Sequence, residues 1–356
     1  MHSSTSNFER SIPALPWQGL LVGTLLLTAI ATVAWEIRAR AWGYAPALND
    51  TSDLWADQRT AVQPDSVVVI GDSRALFDTD LDAVEQGLGH RPIQLALVGS
   101  CAYPVLENLA NDESFHGTVI ASLIPLMWLA PQPAPPYQNS LKAIQRYQRR
   151  NVAQRASHHL GMILEEHVAF MKQEDLTLEQ LLKRIDIPNR ASFHAPPALP
   201  PYFQTIDRDR RTRMTEATAK PGPLQDRVKY GWLPLFTPPP PPSYVPPEAF
   251  AKFMGESIEK RFADTVAAVK KIQARGGKVV FVRFPVVGPL KEHEDKLTPK
   301  AGPWTRIIAE TGAPGIYFSD HPELMFDCPE WSHLSAADSV EFTKRLVPHL
   351  KTALAQ

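Results

Sequence analysis

Val67-Val68-Val69-Ile70-Gly71-Asp72-Ser73-Arg74 is the stretch on which the fold turns. Four consecutive apolar residues, all β-branched, predict a strand buried on both faces. The run stops at a glycine and presents a serine hydroxyl at its carboxyl end, the edge where open α/β sheets bind their ligands. Gly71 allows a tight turn, and the stretch after Leu76 can open a helix whose N-terminal amides favour developing negative charge. Gly-Asp-Ser alone is a common tripeptide. A catalytic serine here needs a base, an orienting acid and oxyanion donors from elsewhere in the chain.

Downstream, strands and helices alternate. Leu81, Val84 and Leu88 recur at helical spacing within Thr79–Leu88, and Gly87 or Gly89 can end that helix. Ile93–Val98 predicts a second buried strand leading into Gly99-Ser100-Cys101, and Thr118 to Trp128 a third. The rhythm resumes at Pro247, where Phe250, Phe262, Val269 and Ile272 belong to a helical stripe that stops at Gly276-Gly277. Lys278–Phe284 reads as a fourth strand, Pro303–Thr311 as a short helix and Ile316–Ser319 as a fifth strand. The last block, Asp327-Cys328-Pro329-Glu330-Trp331-Ser332-His333-Leu334, precedes a helix capped by Ser335 with Asp338 three residues on. This alternation predicts a parallel sheet with helices on both faces. A loop just before the last helix can bring His333 over the carboxyl edge, close to Ser73.

Upstream, Trp17 to Trp35 runs nineteen residues without a charge. As a helix it is about 28 Å long, enough to span a bilayer. Residues 1–16 then read as a cytoplasmic tail, 17–37 as an uncleaved transmembrane anchor and 38–64 as a linker. Trp17, Trp35 and Trp42 suit the two interfaces. The Lys/Arg distribution does not fix the orientation, because Arg38 and Arg40 follow the span.

Composition sets the outer bounds. With 356 residues, 44% of them hydrophobic, the chain can bury one sizeable core besides the anchor. The near balance of 37 basic and 38 acidic residues gives no field to attract nucleic acid. The 34 prolines are about twice the usual share and cluster in residues 131–247, which read as an insertion. Helical patterns there cover Asn139–Arg150, Ala153–Met171 and Leu176–Ile185. Proline-rich tracts follow at Ala195–Pro201 and Pro238–Pro242. The charge-dense run Asp207–Arg213 reads as a solvated face. The insertion is either a cap over the site or a partner-binding surface. His158, His159 and His167 lie on a helical pattern without a ligand constellation, and no metal site is expected.

Taken together, Gly71-Asp72-Ser73 after the first strand, Gly99 after the second, and Glu330 three residues before His333 resemble the blocks of the SGNH, or GDSL-type, hydrolase superfamily. The resemblance covers residues 65–130 and 248–356. It implies a flavodoxin-like three-layer α/β sandwich with a five-stranded parallel sheet and no cofactor. It also implies Ser73 as nucleophile, His333 as general base, Glu330 as the orienting acid, and the amides of Ser73 and Gly99 as oxyanion donors. Such a serine attacks an ester only after a histidine takes its proton. The sequence departs from the family pattern twice. Glutamate stands where aspartate is usual, leaving Asp327 as another candidate, and Ile124-Pro125-Leu126-Met127-Trp128 lacks the usual asparagine donor. Arg74, Ser100 or Arg283 can replace that donor, or can serve as ion-pair and capping residues. Cys101 and Cys328 flank the expected site; they form either a disulfide, which requires an oxidising compartment, or two buried thiols.

An anchor followed by such a domain resembles the membrane-tethered branch of the superfamily, which includes accessory proteins of polysaccharide O-acetylation. This implies a serine esterase or O-acyltransferase acting on a cell-envelope glycan through an acyl-serine intermediate. It also implies the cytoplasmic membrane with the globular part on its outer side, and a polytopic O-acyltransferase as partner. The reading from another class is a catalytically silent glycan-binding or scaffold subunit; a lipid-directed esterase is a third.

Overall fold

The structure, a computed structural model, describes residues 16–172, 176, 178, 182, 203–236 and 244–355. The tail, the proline-rich tracts Ala195–Pro201 and Pro238–Pro242, and most of the helical pattern at Leu176–Ile185 lie outside them.

The chain opens with α1 (Trp17–Ala41), a helix long and apolar enough to cross a membrane, with its apolar window unburied. The linker that follows is not a free tether. It contains α2 (Ser52–Ala61), capped by the Thr51 side chain, and it buries Leu54 and Trp55. The Trp55 indole donates to the Leu95 carbonyl at 2.9 Å, which fastens the helix to the sheet.

The opening strand, β1 (Val67–Ile70), is buried throughout, as its unbroken apolar run requires. It leads into α3 (Ser73–Asp78) and α4 (Leu81–Leu88), then β2 (Ile93–Gln94), α5 (Tyr103–Ala110) and β3 (Thr118–Ser122). The first of these helices starts at Ser73 itself, earlier than the sequence suggests, because the Asp72 carboxylate accepts the Arg74 N–H at 2.8 Å and caps it. The second strand is shorter than Ile93–Val98, and the third gives way at Pro125 to α6 (Pro125–Trp128).

Within the insertion lie α7 (Pro135–Arg149), α8 (Val152–Glu165), the antiparallel hairpin of β4 (Gln204–Ile206) and β5 (Thr212–Met214), α9 (Glu216–Ala219) and α10 (Pro223–Trp232). The hairpin corrects the reading of Asp207–Arg213 as a solvated face. Arg210 is fully buried, donates to the carbonyls of Gln94 and Ala96, and pairs with Asp50. Arg211 pairs with Asp80 and Asp82. Arg210 and Arg211 thus bolt the hairpin to the rest of the domain, while Asp207 and Arg208 keep to the exposed side.

The chain then returns through α11 (Pro247–Ala274), β6 (Lys278–Arg283), α12 (Gly288–Leu297), α13 (Pro303–Thr311), β7 (Gly315–Tyr317) and α14 (Ala336–Leu354). The five-stranded sheet is parallel throughout, in the order β2-β1-β3-β6-β7. Ile70 is level with Ala121, and Ser122 with Val282, so the three central strands end together. That shared edge carries Ser73 just beyond β1. Gly71 is needed there for closeness: a Cβ on it would lie 2.5 Å from the Ala75 Cβ and 2.6 Å from the Ser122 Cβ.

Candidate active site

Ser73 occupies the first position of α3. The capping carboxylate beneath it is itself held, since Asp72 accepts a hydrogen bond from the Ser122 hydroxyl at 3.1 Å. As a first-turn residue, Ser73 keeps its N–H out of the intrahelical ladder and available to an anion.

His333 arrives on the loop before α14. Its Nε2 lies 2.8 Å from the Ser73 Oγ and its Nδ1 lies 2.9 Å from Glu330 Oε1. Glu330 and His333 are fully buried, whereas Ser73 is half-buried and reachable from solvent. The same Glu330 oxygen accepts the His333 backbone N–H at 2.5 Å, so carboxylate, main chain and ring are locked together. With Nδ1–H donated to the carboxylate, Nε2 carries the lone pair that accepts from the serine hydroxyl. The turn that delivers these groups places Trp331 in the left-handed region at φ 80°, a costly conformation for a bulky residue that the surrounding bonds hold in place. Asp327 is exposed, and the carboxylate in contact with the His333 ring is that of Glu330.

The insertion completes the surroundings of the base. Trp232, at the end of α10, donates its indole N–H to Glu330 Oε2 at 2.7 Å. The rings of Phe77, Phe203 and Trp232 stand 4.8, 5.5 and 6.0 Å from the His333 ring. Three apolar faces thus shield the imidazole and leave the serine side open. Of the two readings of the insertion, these contacts favour the cap.

Gly99 lies on the loop after β2, with φ +58°, a conformation glycine adopts without strain. The loop is pinned to the end of β1, because Leu97 N–H donates to the Gly71 carbonyl at 3.0 Å and the Ser100 hydroxyl reaches the same oxygen at 3.3 Å. Asn139, from α7, donates its side-chain N–H to the Gly99 carbonyl at 3.0 Å. Among the described residues the Gly99 N–H has no protein acceptor.

Three of the sequence candidates, Ser100, Arg74 and Arg283, have other work. Ser100 is buried, and its hydroxyl serves the Leu97 and Gly71 carbonyls. Arg74 and Arg283 are buried and pair with one carboxylate, Glu294, so they are ion-pair residues with no open path to a substrate. Burial opposes charge on Glu294, but the two guanidiniums overcome it and hold its carboxyl down to about 2. The cysteines are both free and buried. Cys101 faces the Trp128 carbonyl at 3.3 Å, with Arg261 nearby, while Cys328 lies in the field of Asp78 and Glu330. The disulfide reading is therefore corrected, and with it goes its support for an oxidising compartment. Burial pushes the Cys101 thiol up to about 11 and raises that of Cys328 as well.

Asp78, Glu294, Asn139 and Trp232 were not singled out from sequence. Asp78 is fully buried and its Oδ1 accepts the Leu334 N–H at 2.8 Å, next to His333. Burial raises its carboxyl well above the ordinary range in spite of that bond. One surface group has metal-compatible donors: His321, Glu323 and His349 hold their ligand atoms within 4.8 Å of one another, and His349 Nε2 is 2.8 Å from Glu323. It is built from the turns after β7 and the end of α14, away from Ser73.

Comparison of the chain with family models, with curated proteins and with solved structures finds no match in any of the three.

Proposed function

We propose that the protein is a membrane-tethered serine esterase or O-acyltransferase of the SGNH type, acting through an acyl-serine. The observation that carries this reading is the continuous chain from Glu330 through both ring nitrogens of His333 to the Ser73 hydroxyl. A silent scaffold has no use for a 2.8 Å contact between a buried base and an accessible serine. The strand order β2-β1-β3-β6-β7 supports a flavodoxin-like three-layer arrangement, with the site at its carboxyl edge.

In this mechanism Ser73 Oγ attacks the ester carbonyl while His333 Nε2 takes the hydroxyl proton. The tetrahedral oxyanion forms against the N–H groups of Ser73 and Gly99, each such donor contributing roughly 3 kcal/mol. Asn139 steadies the Gly99 loop from the insertion side. Collapse expels the alcohol, which receives the proton from His333, and leaves the acyl group on Ser73. A water or an acceptor hydroxyl then gives its proton to Nε2 and attacks the acyl-serine; collapse breaks the bond to Ser73 Oγ, which takes that proton back from Nε2, and releases the acid or the new ester. Glu330 keeps the imidazolium oriented and compensates its charge throughout.

The apolar α1 supports anchoring in the cytoplasmic membrane, and an acylated envelope glycan is the substrate class that a tether facing outward would meet. A polytopic O-acyltransferase that supplies acyl groups is the corresponding partner. The test is incubation of the full chain with 4-nitrophenyl acetate followed by mass analysis. An acetyl adduct on the Ser73 peptide, absent from Ser73→Ala, supports the reading; nitrophenol release undiminished in Ser73→Ala overturns it.

A further inference from the structure

Glu36 fastens the domain to the end of α1. Residues 17–35 account for about 28 Å of helix, close to the full hydrocarbon thickness, so Glu36 falls at its boundary. Its carboxylate accepts the N–H groups of Ala169 and Phe170 at 3.0 and 3.2 Å. One turn further on, Arg40 reaches the His167 carbonyl at 3.3 Å, and Ala39 is buried against Tyr44 and Ala169. The domain is therefore clamped to the emerging end of α1, with residues 167–170 running back toward the membrane.

The chain reaches residue 169 only four residues after α8 ends, a distance of at most about 14 Å. Among the described residues, the apolar face of this helix has no partner. Val152, Ala156, Leu160, Ile163 and Leu164 recur at i, i+4, i+8, i+11 and i+12, one continuous stripe on a 3.6-residue helix. Val152, Leu160, Ile163 and Leu164 are between 52% and 71% exposed, whereas Met162 and Glu165 on the opposite side are buried. Arg155 and His159 edge the stripe, and both are exposed. Water-facing helices do not present four large aliphatic side chains in one row without a partner.

We propose that α8 lies on the lipid bilayer, with this stripe inserted among the acyl chains next to α1. The proposal rests on the reading that α1 spans the membrane. Continuity selects lipid over a protein partner, since the hydrogen-bonded clamp of Glu36 on Ala169, four residues along the chain from the end of α8, already holds its last turn near the headgroups. An interfacial helix of this kind is stabilised by the apolar area it buries, and its flanking arginine suits anionic headgroups. Two attachment points then restrict how the domain rotates about its anchor, which fixes the height and facing of Ser73 above the membrane.

The test uses the full chain in vesicles of phosphatidylcholine and phosphatidylglycerol, carrying an environment-sensitive fluorophore on Leu160→Cys or Val152→Cys. The two native cysteines are buried and escape labelling of the folded protein. Brominated lipids serve as quenchers, and Leu26→Cys reports insertion of α1 separately. Blue-shifted emission with loss of signal to brominated lipid at residues 152, 160 and 26 supports the proposal. Water-like, unquenched emission at 152 and 160 beside a quenched residue 26 overturns it while sparing the anchor. Shielding at 160 without lipid quenching assigns the stripe to a protein and also overturns it. An unquenched residue 26 overturns both readings.

Discussion

Trp232 and Glu330 are 98 residues apart, and the indole N–H of the first donates at 2.7 Å to the carboxylate oxygen that the second does not use for His333. The insertion therefore helps to fix the carboxylate that holds the His333 ring, as well as covering that ring. A carboxylate fully removed from water requires partners on both oxygens, and the sheet domain supplies them for only one.

Replacing Trp232 with Phe keeps the ring beside His333 and deletes only the donor. Loss of a hydrogen bond to a charged group costs about 1.5 kcal/mol or more, so kcat is expected to fall roughly tenfold with KM nearly unchanged. Steady-state kinetics on an activated ester, with the pH profile recorded for both proteins, checks this. A merely structural role would lower thermal stability and leave the profile where it was.

Glu294 is expected to matter for stability far more than for chemistry. Glu294→Gln strands the buried guanidiniums of Arg74 and Arg283 and is expected to cost about 3–5 kcal/mol in urea unfolding. The acid dependence follows from the sign of the shift. The folded carboxyl is held at about 2 against an ordinary 4.5, so its stabilisation is complete above the ordinary value and is lost as pH falls toward 2. Glu294→Gln should lack that component of the acid transition.

Asp78 behaves in the opposite sense. Its folded carboxyl is raised above the ordinary 3.8, so the unfolded chain releases that proton first and stability declines as pH rises beyond it. Asp78→Asn preserves the acceptor for Leu334 N–H and removes the charge. The variant is expected to be more stable than the parent at pH 8, with the gap closing toward pH 4, in urea midpoints measured across that range.

The two thiols give a direct count. A disulfide-free chain yields two reactive thiols after denaturation without reductant, and almost none while folded, because both are buried with raised thiol pKa values. Finding none in the denatured, unreduced protein would restore the Cys101–Cys328 bridge.

The parallel sheet and the positions of Ser73, Gly99, Glu330 and His333 were legible because they depend on local signals. These are an apolar run ended by glycine, helical spacing, and a Ser335 cap ahead of the last helix. The partners of those residues were not legible. Glu294 is one acid among several charges on α12, and nothing in its neighbours along the chain distinguishes the one that two buried arginines select. Arg210 sits in a run that looks solvated by composition and is buried by the hairpin's docking, a tertiary effect. Trp232 follows the same logic, since its partner comes from a loop nearly a hundred residues away. Ser73 as the first residue of α3 was missed by a few positions, because Asp72 caps the helix earlier than the apolar spacing shows.

The most direct measurement is labelling of the full-length protein by a fluorophosphonate probe, with the modified residue located by mass spectrometry. The account predicts a single adduct on Ser73, absent from Ser73→Ala and strongly slowed in His333→Ala. A folded protein, verified by a cooperative thermal transition, that takes up no label at Ser73 at any pH from about 6 to about 9 would contradict it.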